Sequence, residues 1–149
     1  MNAEELCSTN VAVITRDETL QHAAHMMREN HVGDLVVVEK TDGGKRPVGI
    51  ITDRDLVMAI AKHGSENFAK KKVGNKMADV LIMARNQDPV EEVLQNMRDN
   101  GIRRVPVVDV DDNLTGILTF DDLIGYYGDQ LMKMGELVQQ ELSREVLGS

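Results

Sequence analysis

Two stretches of the chain set a hydroxyl and a carboxylate three residues apart behind a short apolar run. They are Gly49-Ile50-Ile51-Thr52-Asp53-Arg54-Asp55-Leu56 and Gly116-Ile117-Leu118-Thr119-Phe120-Asp121-Asp122-Leu123. An apolar run ending in Thr-x-x-Asp reads as a strand that hands over to a helix, with the Thr at the cap. Two chemistries fit those atoms. In the first, Thr and Asp form a capping box, each satisfying the other's backbone N–H, while Gly49 or Gly116 eases a tight turn. In the second, the same helix end is an anion site. Its free N–H groups and positive dipole end receive a phosphate, Thr52 or Thr119 bonds a phosphate or ribose oxygen, and Asp55 or Asp122 accepts from a ribose diol. For one copy alone, helix punctuation is the favoured account. The recurrence argues for more.

Other chemistry-bearing residues lead less far. His22 and His25 share a helical face, but no third ligand stands near them in the sequence, so no metal site is expected. Asp109-x-Asp111-x-Asn113 opens like a calcium loop, yet Leu114 stands where such a loop needs Gly and Phe120 where it needs Glu. Cys7 is the single cysteine, which excludes an internal disulfide and suits a packed side chain. No Ser-His-Asp or Cys-His arrangement has the spacing of a nucleophile, so no catalytic residue is assigned and an enzyme is not expected. A net charge of −8 and the absence of Trp argue against a nucleic-acid partner. No apolar stretch approaches the ~18 residues of a membrane span. The acidic start lacks the pattern of a secretory signal, and the expected location is the cytoplasm.

The elements that position these residues come in two copies. Met27–Val32 (MRENHV) recurs as Met97–Ile102 (MRDNGI), 70 residues later, and the Thr-x-x-Asp phrase recurs after 67. The difference falls in a turn. Each copy has a short β-rich run (from Asn10, or from Val80), then a helix with apolar residues at i, i+3, i+4 and i+7: Leu20, Ala23, Ala24 and Met27, or Val90, Val93, Leu94 and Met97. Asp88-Pro89-Val90-Glu91 reads as a cap, a first-turn Pro and an acid. Two strands around a turn follow, then the helix that begins at Thr52 or Thr119. The order β-α-β-β-α, twice, predicts an α/β fold of two repeats packed sheet to sheet with pseudo-two-fold symmetry. Each half, at about 60 residues, is marginal alone and gains by packing on its copy. The expected division is repeat 1 over 1–65, a polar linker over 66–72, repeat 2 over 73–130 and a C-terminal helix over 131–149. That helix carries an apolar stripe of Leu131, Met134, Leu137, Val138 and Leu142, expected to serve as a homodimer contact or a lid.

A tandem β-α-β-β-α order with Gly-apolar-apolar-Thr-x-x-Asp-Leu closing each unit resembles a pair of CBS domains, the Bateman module, from about Ser8 to Ile124. The resemblance implies a regulatory module that binds an adenosine-containing ligand (AMP, ADP, ATP, NAD or S-adenosylmethionine) in clefts between the repeats, with no obligatory cofactor. It implies that Asp55 and Asp122 hold ribose, that Thr52 and Thr119 lie near phosphate, and that adenine lies near Ile14 and Thr15 or near Met83 and Ala84. Family members place basic residues before the second strand and use them on the phosphate. Copy two keeps these as Arg103-Arg104, where copy one has Gly33-Asp34. If each side chain faces its own cleft, the Thr119/Asp122 cleft with Arg103 and Arg104 is the better site; service to the Thr52/Asp55 side is the open alternative. The implied partners are an adenine nucleotide, a second copy of the chain and a regulated protein. A ligand-free interaction or oligomerisation scaffold is the competing reading.

Overall fold

The computed structural model describes residues 1–79 and 82–148. In chain order the elements are α1 (Ala3–Leu6), β1 (Val13–Ile14), α2 (Leu20–Asn30), β2 (Asp34–Thr41), β3 (Gly44–Thr52), α3 (Asp53–His63), α4 (Ser65–Lys70) and a 3-10 turn (Val73–Asn75). There follow β4 (Ala78–Asp79), β5 (Ala84–Arg85), α5 (Val90–Asn100), β6 (Arg104–Val108), β7 (Leu114–Thr119) and α6 (Phe120–Gly148). β1-α2-β2-β3-α3 and β5-α5-β6-β7-α6 are the two expected units. The β-run expected from Val80 falls partly on Val80 and Leu81, outside the described residues.

Each repeat builds one sheet, ordered β1-β2-β3-β4 in the first and β5-β6-β7 in the second. Strand alternation then divides the side chains. Leu35, Val37 and Ile51 pack against the first repeat's helices with Leu20, Ala23 and Met27. Val105, Val107 and Leu118 do the same with Val90, Val93 and Met97. The intervening Val36, Val38 and Val108 are buried as well but join neither helix-facing core. β3 also contacts β7. Strands covered on both faces read as unbroken apolar runs, as Leu35–Val38 does. A hydrogen bond from Thr41 Oγ1 to the buried Asn113 Oδ1 (2.5 Å) ties the two hairpins together.

The repeats exchange their leading segments. β4, which precedes the second repeat, pairs with β3 of the first, Gly49 opposite Asp79 and Ile50 opposite Ala78. Ser8, which precedes the first repeat, pairs with Ile117 of the second through two 2.9 Å backbone bonds. Ala3 accordingly lies in the second core and Val73 in the first. This exchange explains Gly49 and Gly116, which are strand residues and not turn residues. A Cβ on Gly49 would stand 2.5 Å from Met77 Sδ, and one on Gly116 would stand 2.5 Å from Cys7 Sγ.

Two further details depart from the sequence reading. Asp88 does not cap α5; its Oδ2 accepts the Arg85 N–H at 2.8 Å, while the Val90 N–H bonds the Met1 carbonyl at 3.2 Å. The polar segment around residue 68 folds as α4 and buries Phe68 in the first core. The C-terminal segment is helical as expected: α6 runs through Gly125, Gly128 and Gly135, and residues 131–148 are all exposed.

Candidate functional site

The first turns of α3 and α6 carry the Thr-x-x-Asp residues. Thr52 Oγ1 accepts the Asp55 N–H at 3.3 Å, and Asp55 Oδ2 accepts the Thr52 N–H at 2.9 Å. The Thr119–Asp122 pair repeats this at 3.2 and 2.9 Å. Both copies are therefore capping boxes. Each box uses one carboxylate oxygen; Oδ1 of Asp55 and of Asp122 has no hydrogen-bond partner among the described residues. A carboxylate has lone pairs to spare, so capping does not exclude a ligand hydroxyl.

A cleft opens beside each cap. One, of about 370 Å³, is lined by Ile50 and Thr52 of β3, by Ala78, Asp79 and Ile82 of the segment leading into repeat 2, and by Asn100 and Ile102–Arg104 at the head of β6. The other, of about 290 Å³, is lined by Ile117–Asp121 residues Ile117, Thr119, Phe120 and Asp121, by Val32–Asp34, and again by Arg103 and Arg104. The two are related by the internal repeat, with Val32–Asp34 standing where Ile102–Arg104 stand in the mate. Each is therefore built from both repeats. The larger falls within the ~300–1,000 Å³ range of small-molecule sites.

Arg103 and Arg104 border both clefts. Arg104 forms an ion pair with Asp34, with side chains 35% and 22% exposed. Arg103 lies over the Phe120 ring, 4.8 Å from its centroid, and 3.9 Å from Asp121 Oδ1. Asp34 lines the cleft beside Thr119, not the one beside Thr52 of its own repeat, and pairs with Arg104, which borders both. The condition under which the sequence favoured the Thr119 side is therefore not met.

Among the other expected residues, Ile14 and Ala84 turn into the two cores, because strand alternation points their side chains away from the clefts. Thr15 borders a separate cavity of about 250 Å³ with His22 and Lys45. Met83 is half-buried and lines neither cleft. The apolar wall is instead Ile50, Ile82 and Ile102. Neither Asp55 nor Asp122 is among the cleft-lining residues; each sits one turn into its helix, behind the lining Thr. The repeated pair Val32/Ile102 was the sequence signal for the wall.

Beside Gly116, burial pushes the Cys7 thiol above its ordinary range; a backbone hydrogen bond opposes this, and the charges of Glu4 and Asp122 add to it. His63 is moved the other way, first by desolvation and then by Lys76, Lys71 and Lys62. Among the described residues no three His, Cys, Asp or Glu side chains gather as a metal site. No described helix is long and apolar enough to cross a membrane.

Comparison with known proteins follows this geometry closely. The family model for the CBS domain matches residues 3–62 and 72–129. The uncharacterized protein MK0525 of Methanopyrus kandleri is 34% identical over 120 residues, 80% of this chain; the chain spans 59% of that relative's length. Among solved structures, the CBS domain pair of protein MJ0100 in complex with 5′-methylthioadenosine and S-adenosyl-L-methionine superposes with a TM-score of 0.73. It is 26% identical and covers 87% of this chain and 98% of its own. PAE2072 from Pyrobaculum aerophilum, complexed with AMP, has a TM-score of 0.72 at 25% identity, covering 83% of this chain and 90% of its own.

Proposed function

The chain belongs to the CBS-domain family as a tandem pair, and from that premise we propose that it is a non-catalytic regulatory module whose clefts take an adenosine-containing ligand. The observation that carries this is a single arrangement. An apolar wall, a helix N-terminus with its Thr, and two arginines converge on one cleft built from both repeats. The wall suits a purine, the helix end and arginines suit phosphate, and the Oδ1 of Asp55 offers an acceptor one turn away. The structures of MJ0100 and PAE2072 hold ligands of this chemical class.

Of the two clefts we favour the one beside Thr52. It is the larger, and its lining sets one acid, Asp79, against the two arginines; the cleft beside Thr119 sets Asp34 and Asp121 against the same two. Thr52 and Asp55, with Arg103 and Arg104, are then the principal ligand residues, and Thr119 and Asp122 serve the secondary cleft. Ligand binding biases the packing of the two repeats, and a protein partner reads that state to the extent that affinity differs between the two arrangements.

Thermal unfolding with AMP, ADP, ATP, NAD and S-adenosylmethionine tests the reading. A ligand at ~100 times its Kd adds about 2.7 kcal/mol, a rise of several degrees at this size. The rise is expected to disappear in Asp55→Ala and to persist in Asp122→Ala. No rise with any of the five leaves both motifs as helix caps and the protein as a scaffold.

One observation favours an assembly role besides ligand binding. Leu131, Met134, Val138 and Leu142 are each more than half exposed along α6. We assign this stripe to contact with a second copy of the chain. Light scattering should show dimers that Leu131→Ser with Val138→Ser converts to monomers.

A further inference from the structure

Among the described residues Arg103 and Arg104 are the only cations lining either cleft, and they line both. We infer that the two clefts share one phosphate-binding charge, so binding of one phosphorylated nucleotide weakens binding of a second although the chain has two pockets. This rests on the nucleotide reading above and adds to it a coupling between the clefts and a rule of ligand choice.

The positions of the acids lead to this. Both acids that partner the arginines, Asp34 and Asp121, line the cleft beside Thr119. Arg103 and Asp121 are 69% and 88% exposed and 3.9 Å apart, and so exposed a pair holds weakly. A phosphate beside Thr52 draws Arg103 off Asp121 and competes with Asp34 for Arg104. That leaves two acids in the other cleft with less opposing charge, and a second phosphate is repelled there. An adenosine ligand without phosphate meets no such penalty. The second cleft is therefore selective by charge: with one phosphorylated ligand bound, it admits a neutral or cationic adenosine derivative in preference to another nucleotide.

Calorimetric titration of the full chain with AMP tests the sharing. One AMP per chain is expected, with any second event weaker by about 5-fold or more, the low end of usual coupling between sites. 5′-Methylthioadenosine, added to the AMP-saturated protein, is expected to bind without displacing AMP. The double variant D34N/D121N, checked for a native circular dichroism spectrum, is expected to take a second AMP because each arginine is released. Two equal AMP sites in the unmodified chain would overturn the sharing and leave the nucleotide reading intact. So would displacement of AMP by 5′-methylthioadenosine, or a folded double variant that still takes one AMP. If neither AMP nor 5′-methylthioadenosine binds at all, the nucleotide reading fails and the sharing fails with it.

Discussion

Asp34 and Arg104 hold equivalent positions in the two repeats, each opening the second strand of its unit, and they form an ion pair with each other at the cleft beside Thr119. An internal duplication places equivalent residues close together near its pseudo-two-fold axis. Two arginines there would repel and two aspartates likewise, so opposite charges at this position join the halves while restraining the cation.

Removing the restraint should favour an anionic ligand. In Asp34→Asn, AMP affinity measured by calorimetry should rise severalfold. Stability should fall by no more than about 1 kcal/mol, as befits a partly exposed pair. A loss of affinity would mean that Asp34 positions Arg104 for the ligand.

The glycines of the repeated phrase give a steric test. Gly49→Ala and Gly116→Ala should each cost about 1–3 kcal/mol in denaturant unfolding, because the new Cβ meets a sulfur and a backbone carbonyl of the exchanged segment. Gly125→Ala, on α6 with nothing within 4 Å, should stabilise by up to about 1 kcal/mol. Equal effects at all three positions would reject close approach as the reason for Gly49 and Gly116.

The two equivalent helix ends differ in the residue at the C-cap. α2 closes on His31 at φ 54°, where α5 closes on Gly101 at φ 63°. A left-handed non-glycine costs roughly 1–2 kcal/mol, and glycine returns part of that gain as unfolded-chain entropy. His31→Gly should therefore raise stability by about 0.5–1 kcal/mol. An unchanged or lowered melting temperature would contradict this.

His63 sets an acid-side dependence. Its Nε2 lies 2.8 Å from Lys76 Nζ, and desolvation with Lys76, Lys71 and Lys62 holds its pKa below the ordinary 6.5. The unfolded chain then binds this proton more readily than the folded one, so the contribution to stability is complete above pH 6.5 and falls away as pH drops toward the folded value. His63→Gln should remove that part of the decline. Melting temperatures of the two proteins should converge at pH 5.5 relative to pH 8; parallel curves would contradict the assignment.

Much of the architecture was legible because it rests on local chemistry written twice. The Thr-x-x-Asp caps, the Leu20–Met27 and Val90–Met97 stripes and the apolar strand runs all lie within short windows, where period and capping chemistry report the element directly. The Gly49 and Gly116 reading failed because their neighbours, Met77-Ala78 and Cys7-Ser8, are distant in sequence. Asp88 was misplaced for a related reason: the Val90 N–H finds the Met1 carbonyl, distant in sequence, and the Asp88 carboxylate accepts from Arg85 instead. The calcium-like run at Asp109 is likewise a turn, its Oδ1 accepting the N–H groups of Asp111 and Asn113.

By itself, then, the sequence determined the α/β repeat, its β-α-β-β-α order and the two helix caps, since each is specified by side chains within a few residues of one another. Which cleft each charge serves was decided only by the tertiary structure. Exchange of the leading segments and packing about a pseudo-two-fold axis bring Ile82, Ile102, Arg103 and Arg104 of the second repeat to Thr52 of the first. Those approaches depend on how two sheets stack, and no pattern confined to one strand or helix encodes that.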